Sequence, residues 1–169
     1  MTRILLLAVI LICNSSLIAQ NDPQLPQKQK KNRYYSHTDT KPVNITNSEW
    51  KKILSPGEYQ IARESATERA YTGAYWNNHK RGSYYCTACG NFLFRSKAKF
   101  DSHTGWPSFY EPATQTSVKE KTDPDGKRVE VECRRCSSHL GHVFKDGPEP
   151  TGLRYCMNSA VLDFVADVK

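Results

Sequence analysis

The chain has 169 residues, enough for one domain with a hydrophobic core but too few for two domains of ordinary size. Hydrophobic residues make up 38% and charged residues 24%, a balance that excludes a wholly disordered chain. The formal net charge of +7 admits nucleic acid as a partner, and only the remaining features can decide that question.

The first 19 residues have the layout of a secretory signal peptide. A basic start at Arg3 precedes an apolar run from Ile4 to Cys13, which is too short to span a bilayer, so no transmembrane segment is predicted. Cleavage after Ala19 would export the protein to the periplasm or the medium. A lipid on Cys13 is the alternative, although the residues before it are bulky for a lipoprotein signal. In an exported chain the basic excess indicates a solvated surface, so no nucleic-acid partner is expected.

Residues 20–44 are rich in Gln, Lys, Pro and Asn and predict a flexible tether, which leaves residues 45–169 for the folded domain. The domain opens with a short predicted helix at 46–54, whose Trp50, Ile53 and Leu54 share one face. A second helix is predicted from 55 to about 64. Strands are then predicted at residues 83–86, 91–94, 128–133, 142–144, 153–158 and 161–165. The fold class is therefore mainly β with short N-terminal helices.

Four cysteines predict a structural zinc site. Cys86 and Cys89 form one CxxC pair, and Cys133 and Cys136 form a second, separated by a long segment. Two such turns can offer four thiolates at the corners of a tetrahedron. A closed site of this kind has no position for water or substrate, so the single zinc would hold two hairpins together and do no chemistry.

Two alternatives to this zinc site stay open. Exported proteins often pair their cysteines, but a disulfide within one CxxC pair closes a strained ring and behaves as a redox couple, which leaves cross-pairing. His139 and His142 continue the spacing after Cys136 and are conceivable ligands, although four thiolates already satisfy the ion.

Cys156 has no cysteine left to pair with. In a strand it shares a face with Arg154 and Asn158, because alternate residues point the same way. A cation lowers the pKa of a neighbouring thiol and an amide can orient a reactant, so this face predicts a reactive thiolate. The alternative is a buried structural cysteine, although arginine and asparagine are unsuited to a dry core.

Two further segments can complete a site around Cys156. His139 and His142 supply imidazoles, the natural proton donors near neutral pH. Trp106 and Phe109, held by a glycine and a proline, can line a pocket for a methyl or thioether group. Packing of the same two aromatic rings in the core is an equally good interpretation.

From about Trp50 to Phe164 the chain resembles the B-type methionine sulfoxide reductases. The motifs that carry the resemblance are Cys86-x-x-Cys89-Gly90, the run from Phe100 to Phe109, Cys133-x-x-Cys136, the run from His139 to Pro148, and Arg154-Tyr155-Cys156-Met157-Asn158-Ser159. The resemblance implies two antiparallel sheets, with the zinc site distant from the catalytic pocket.

The resemblance also implies an oxidoreductase that repairs methionine-R-sulfoxide in oxidised proteins. Cys156 would be the nucleophile, and Arg154 would hold its thiolate. Three polar side chains would surround the sulfoxide oxygen, namely His139, His142 and Asn158. Trp106 would pack against the methyl group and help to select the R epimer.

One departure from that family concerns recycling. Many members carry a second cysteine immediately before Gly-Trp-Pro-Ser-Phe, and Thr104 holds that position here. We therefore expect a monomer with a one-cysteine cycle, in which a small thiol or thioredoxin-like partner attacks the Cys156 sulfenic acid directly.

Two other classes of protein explain part of the pattern. A zinc-ribbon binding module accounts for the CxxC pairs and the charge, but not for Cys156 or Trp106. An exported thiol-disulfide enzyme that uses a CxxC pair would work without metal and would tolerate Cys156→Ser.

Overall fold

In a computed structural model of the protein, residues 31–168 are described. The predicted signal peptide and the first part of the predicted tether lie outside these residues. Within them the chain forms two helices and nine strands, in the order α1 Asn47–Ile53, α2 Pro56–Glu64, β1 Gly82–Cys86, β2 Phe92–Arg95, β3 Lys99–Phe100, β4 Ser108–Phe109, β5 Val118–Thr122, β6 Val129–Cys133, β7 His139–Phe144, β8 Arg154–Met157 and β9 Leu162–Ala166.

The strands form two antiparallel sheets, so the predicted fold class is confirmed. The smaller sheet has the order β2-β1-β9, and the larger has the order β3-β4-β8-β7-β6-β5. Strand β8, which carries Cys156, therefore lies inside the larger sheet and pairs with β4 on one side and β7 on the other. A strand with two neighbours has little freedom to move, which suits a strand that positions a reacting atom.

Both helices begin with a capping box, as their sequences allow. Thr46 accepts a hydrogen bond from the Glu49 amide at 3.3 Å, and the Glu49 carboxylate accepts one from the Thr46 amide at 3.0 Å. Trp50 is fully buried, as expected, but Ile53 is exposed at the end of α1. The two-turn helix is too short to bury every apolar residue of its predicted face.

Three strands were not predicted from the sequence, and all three are short or lie at an edge. β3 and β4 have two residues each, and β5 forms one edge of the larger sheet. Only Val118 of β5 is buried, because Lys119 and its charged neighbours face solvent. Such edge strands carry little apolar periodicity, and charged residues there discourage pairing with other chains.

The structure differs from the predicted tether over residues 31–44, a segment called the strap below. The Ser36 amide donates to the Cys89 carbonyl at 3.0 Å, and the Val43 amide donates to the Arg135 carbonyl at 2.8 Å. The strap thus lies against both CxxC turns. Composition alone suggested a tether because the strap has few apolar residues, whereas it is held by main-chain hydrogen bonds and by polar and aromatic side chains, such as His37 stacked on Tyr85.

Arg135 fastens the strap to the second CxxC turn. Its guanidinium group donates to the carbonyl of Lys41 at 3.1 Å, to the carbonyl of Tyr34 at 3.0 Å and to the carbonyl of Cys89. It also forms an ion pair with Asp39 at 2.9 Å, and its side chain is only 3% exposed. One buried cation therefore satisfies acceptors from the strap and from the first CxxC turn.

We expect Arg135→Met to destabilise the fold by about 2–4 kcal/mol, because three carbonyl groups lose their donor. Urea unfolding of the metal-loaded protein, followed by tryptophan fluorescence, measures this loss. The matched control is Arg134→Met, since Arg134 is the exposed neighbour, and we expect a change below about 0.5 kcal/mol there. Equal effects of the two substitutions would contradict the role assigned to Arg135.

Neither helix in residues 31–168 has the length and apolar character needed to cross a membrane.

Candidate active site and metal centre

The two CxxC turns bring four buried sulfur atoms together. The Sγ atoms of Cys86 and Cys136 are 3.7 Å apart, and those of Cys89 and Cys133 are 3.6 Å apart. All four lie within 4.8 Å of one another. A tetrahedral ion with metal–sulfur bonds of about 2.3 Å places its ligands about 3.8 Å apart, so the group can hold such an ion.

The same geometry decides between the alternatives left open by the sequence. The sulfur separations are far longer than the bond of about 2.0 Å in a disulfide, and all five cysteines of the described residues are free thiols. His139 and His142 do not belong to the four-sulfur group. The residues that can hold a metal are therefore the four predicted cysteines.

Cys156 is separate from that group and lies in the middle of the larger sheet. In the strand register it is opposite Ser108 of β4 and opposite His142 of β7. Gly141 precedes His142 at a close approach of the strands, where a Cβ atom would overlap the main-chain oxygen of Cys156. Glycine at 141 therefore allows β7 to approach the strand that carries the thiol.

The Cys156 side chain lines a small cavity of about 150 Å³. This volume suits one side chain and is smaller than the pockets that enclose drug-sized ligands. The lining residues are Thr67, Trp106, Arg128, Gly141, His142, Phe144, Cys156, Met157 and Asn158. Of the residues predicted from the sequence, Trp106, His142, Cys156 and Asn158 are thus brought together around one cavity.

Burial raises the pKa of the Cys156 thiol above its usual value, and this effect exceeds the opposing ones. The charge of Arg154 lowers the pKa, as do hydrogen bonds from Thr104 and Ser108. The sequence predicted that Arg154 would make this thiol acidic. The structure shows that Arg154 acts in the predicted direction but does not outweigh the loss of water.

Arg154 is held rigidly beside the thiol. Its Nε and Nη2 atoms donate to the two oxygens of the Asp146 carboxylate at 2.9 and 2.8 Å, a bidentate pair. The guanidinium group also lies 4.4 Å from the centre of the Phe144 ring, which forms part of the cavity wall. The guanidinium group is thus fixed on the same face of β8 as Cys156, where its charge favours the thiolate.

We expect Arg154→Met to raise the pKa of Cys156 further, because the substitution removes the charge that favours the thiolate. The pH dependence of Cys156 alkylation by iodoacetamide, quantified on the Cys156 peptide by mass spectrometry, should move to higher pH. Arg95→Met removes the same charge from β2 of the smaller sheet and serves as the control. An unchanged profile in Arg154→Met would contradict the electrostatic role of Arg154.

His139 is almost fully buried and has one free nitrogen. Its Nδ1 atom lies 2.6 Å from a carboxylate oxygen of Glu130, and this carboxylate is itself mostly buried. Its Nε2 atom is buried and has no hydrogen-bond partner within the described residues. A buried polar nitrogen without a partner is costly, so it indicates a place for an oxygen atom from water or a ligand.

His142 has a different environment from His139. Its Nε2 atom lies 3.2 Å from Asp123, whose same oxygen also accepts a hydrogen bond from Arg128 Nη2 at 2.9 Å. Burial lowers the pKa of His142, the charge of Arg128 lowers it further, and Asp123 opposes both. The two imidazole rings are in edge contact, with centroids 5.4 Å apart, so both belong to one cluster.

Trp106 and Asn158 are anchored by hydrogen bonds. The indole Nε1 of Trp106 donates to the Glu68 carbonyl at 3.1 Å, and the Asn158 amide group donates to the Leu140 carbonyl at 3.1 Å. These bonds fix the orientation of both side chains where they line the cavity.

Phe109 does not reach the cavity, so its assignment to substrate binding is wrong. Its ring is fully buried and stacks on Phe94 at a centroid distance of 4.4 Å, with Tyr84 at its edge. Ser108 and Phe109 are consecutive in β4 and therefore point to opposite faces of the sheet. Ser108 faces Cys156, and Phe109 supports the core.

Several residues near the cavity were missed in the sequence. Glu130 and Asp123 hold the two histidines, Asp146 holds Arg154, and Glu68 holds Trp106. Acidic residues are common on exposed strands and turns, and only the pairing of β5, β6 and β7 brings two of these to the histidines. The sequence contained no local signal for these contacts.

The fold and the two kinds of cysteine site define a β-sheet protein with a four-cysteine metal centre and a separate thiol in a small cavity. A model of the SelR domain matches residues 54–166. The chain therefore belongs to the SelR family, and its resemblance to the B-type methionine sulfoxide reductases is confirmed.

Similar curated proteins carry the name peptide methionine sulfoxide reductase MsrB. One from Thiobacillus denitrificans is 59% identical over 121 residues, which are 70% of this chain and 92% of that protein. One from Acinetobacter baylyi is 52% identical over 129 residues, or 75% of this chain and 93% of that protein. One from Synechococcus is 52% identical over 125 residues, or 73% and 92%.

Proposed function

We propose that this protein is an oxidoreductase that reduces methionine-R-sulfoxide in oxidised proteins back to methionine. The observation that carries the proposal is the position of Cys156 in a cavity of side-chain size, directly opposite His142 and apart from the four-cysteine group. The names of the MsrB relatives support methionine sulfoxide as the substrate.

In the proposed reaction the Cys156 thiolate attacks the sulfur of the sulfoxide. The oxygen passes to Cys156 together with one proton, and methionine leaves. The sulfur of Cys156 is oxidised by two electrons to a sulfenic acid, and the substrate sulfur is reduced by two. Burial raises the pKa of Cys156, so the thiolate depends on the charge of Arg154. We infer that this charge stabilises the thiolate most strongly once the substrate has excluded the remaining water, because water no longer screens it.

We assign the proton donor to His139 and the positioning of the oxygen to His142 and Asn158. Glu130 accepts a hydrogen bond from His139 Nδ1, which fixes the orientation of the imidazole ring. His139 does not itself line the cavity, but its ring contacts His142, which does, and its unpartnered Nε2 can donate to the sulfoxide oxygen directly or through one water molecule. His142 is less suited to carry the proton because its pKa is lowered.

We propose that three different walls of the cavity distinguish the two epimers, and that R is the epimer that fits, as the resemblance to the B-type methionine sulfoxide reductases implies. Trp106 offers an aromatic face to the methyl group, His142 and Asn158 offer donors to the oxygen, and Cys156 must approach the sulfur. Exchange of oxygen and methyl in the S epimer would place a polar oxygen against the indole ring and leave the donors unpaired.

We propose zinc as the metal of the four-cysteine centre, at one ion per chain. Four thiolates in a closed tetrahedron are the usual donor set of structural zinc, and they leave no position for substrate. Coordination would also protect these thiolates from oxidants in an exported protein. When bound, the ion holds the turns before β2 and β7 together.

Export and recycling complete the proposal. The basic start and apolar run of residues 1–19 support a cleaved signal peptide and a protein outside the cytosol, which we propose to be a monomer. Thr104 lowers the pKa of the Cys156 thiol from the position where proteins of this class often carry a recycling cysteine. We therefore propose that a thiol of a small molecule or of a thioredoxin-like dithiol attacks the sulfenic acid, which releases water and leaves a mixed disulfide on Cys156. A second thiol, from another small molecule or from the same dithiol, then attacks this bond, so that the Cys156 thiol is restored and the reductant leaves as a disulfide.

The test of this function is an assay of purified protein on peptides that contain either the R or the S epimer of methionine sulfoxide. Reduction of the R epimer, with dithiothreitol as the electron donor, is expected to exceed reduction of the S epimer by at least about a hundredfold. Equal rates on both epimers would contradict the arrangement of the three walls. Failure to reduce either epimer would contradict the proposed function.

The one-cysteine cycle predicts the products of a single turnover without reductant. Mass spectrometry should find Cys156 as a sulfenic acid, trapped with dimedone, and no disulfide between Cys156 and another cysteine. Thr104→Cys places a second sulfur beside Cys156, so this variant should instead form the 104–156 disulfide. A Cys156 disulfide in the unsubstituted protein would contradict the proposed cycle.

A further inference from the structure

Glu68 joins two walls of the Cys156 cavity through its main chain. Its carbonyl oxygen accepts the hydrogen bond from Trp106 Nε1 at 3.1 Å. Its amide donates to Oδ1 of Asn158 at 3.0 Å. Trp106 and Asn158 both line the cavity but come from distant parts of the sequence. The position of one residue, Glu68, therefore bears on the separation of the two walls.

The carboxylate of Glu68 anchors this main chain. Oε1 accepts from the Ser159 amide at 2.6 Å, and Oε2 accepts from the Ala160 amide at 3.0 Å. These amides open the short 3-10 turn that directly follows Asn158. A carboxylate that accepts two main-chain hydrogen bonds is held firmly, because charge-assisted bonds are the stronger ones.

The surroundings leave the Glu68 side chain little room to move. A Cβ atom at Gly73 would overlap both the Glu68 carboxylate and the Ser159 hydroxyl, so the chain is tightly packed there. On the other side, the Tyr71 amide donates to the carbonyl of Gly105 at 2.8 Å. The segment around Glu68 is thus bonded both to the turn after β8 and to the loop that carries Trp106.

We propose that Glu68 is a positioning residue that sets the distance between Trp106 and Asn158 and so fits the cavity to a sulfoxide group. The inference rests on the proposed function for its chemistry. Glu68 is not among the cavity-lining residues, so it acts through its two neighbours. Loss of its carboxylate frees the segment from the turn and lets the two walls separate.

The kinetic test compares Glu68→Ala and Glu68→Gln with the unsubstituted protein on the R-sulfoxide peptide. Glu68→Ala should lower kcat/KM about 10- to 100-fold and reduce the preference for the R epimer, because Trp106 and Asn158 are no longer held at a fixed separation. Glu68→Gln retains one acceptor oxygen, so its kcat/KM should lie between that of Glu68→Ala and that of the unsubstituted protein. Glu64→Gln makes the same chemical change at the exposed end of α2 and should match the unsubstituted protein.

A second measurement does not depend on activity. The chain has three tryptophans, so three indole N–H signals are expected in its NMR spectrum, and Trp106→Phe identifies the relevant one. In Glu68→Ala the Trp106 indole proton should exchange with solvent at least about tenfold faster. The signal of Trp50, which is fully buried in the core, should keep its exchange rate and so report an intact fold.

The outcomes separate the inference from the proposed function. If the unsubstituted protein reduces no sulfoxide, the proposed function fails, and indole exchange alone decides whether Glu68 positions Trp106. If the protein is active but Glu68→Ala matches Glu64→Gln in kcat/KM, epimer preference and indole exchange, the inference is overturned. If Glu68→Ala does not fold, the inference is decided on Glu68→Gln instead, by the same three measurements of kcat/KM, epimer preference and indole exchange.

Discussion

Cys156→Ser is expected to abolish sulfoxide reduction, with a loss of at least about a thousandfold in kcat. A hydroxyl of nearly the same size fills the same place, but it is far less nucleophilic than a thiolate and cannot accept the oxygen as a stable sulfenic acid. The measurement is single-turnover reduction of the R-sulfoxide peptide, which separates the chemical step from recycling.

The same variant should keep its fold and its metal. Cys156 lies on β8, apart from the four-sulfur group, and serine can replace its hydrogen bonds with Thr104 and Ser108. We expect one zinc per chain and a melting temperature within about 4 °C of the unsubstituted protein. Residual activity in a folded, zinc-loaded Cys156→Ser would refute Cys156 as the nucleophile and would favour a CxxC pair as the redox centre.

The residues around Cys156 show which features a sequence can reveal. The two CxxC pairs are local patterns whose spacing already implies a metal site. The common face of Arg154 and Cys156 follows from strand alternation, and in the structure Cys156 lines the cavity while Arg154 lies over the ring of Phe144, a residue of the cavity wall. The same alternation applied to Ser108 and Phe109 would have assigned Phe109 to the core, had β4 been recognised as a strand.

Other features depend on pairing between distant segments, which no local pattern encodes. Glu130 reaches His139 only because β6 pairs with β7, and the register shifts between Val131 and Glu132. The polar composition of the strap predicted a flexible segment, yet Arg135 of the second CxxC turn donates hydrogen bonds to two carbonyl groups of the strap. Main-chain hydrogen bonds do not depend on side-chain type, so composition could not disclose them.

Removal of the metal should have the largest effect on stability. Cys89→Ser replaces one of four thiolates by a weaker ligand, and we expect loss of bound zinc and a melting temperature lower by more than about 10 °C. The reason is geometric: the four sulfurs join the turn between β1 and β2 to the turn between β6 and β7, and so connect the two sheets. Calorimetry and metal analysis of the purified variant measure both quantities.

The variants Cys156→Ser and Cys89→Ser serve as controls for each other, because each removes a different kind of cysteine. Cys156→Ser should lose activity and keep zinc, whereas Cys89→Ser should lose zinc and stability first, with activity falling as the sheets separate. Both sites involve the larger sheet, because Cys133 ends β6 and Cys156 lies on β8, two strands away in the same sheet. If Cys89→Ser retained zinc and its melting temperature, the four-cysteine group would not be the metal centre that joins the sheets.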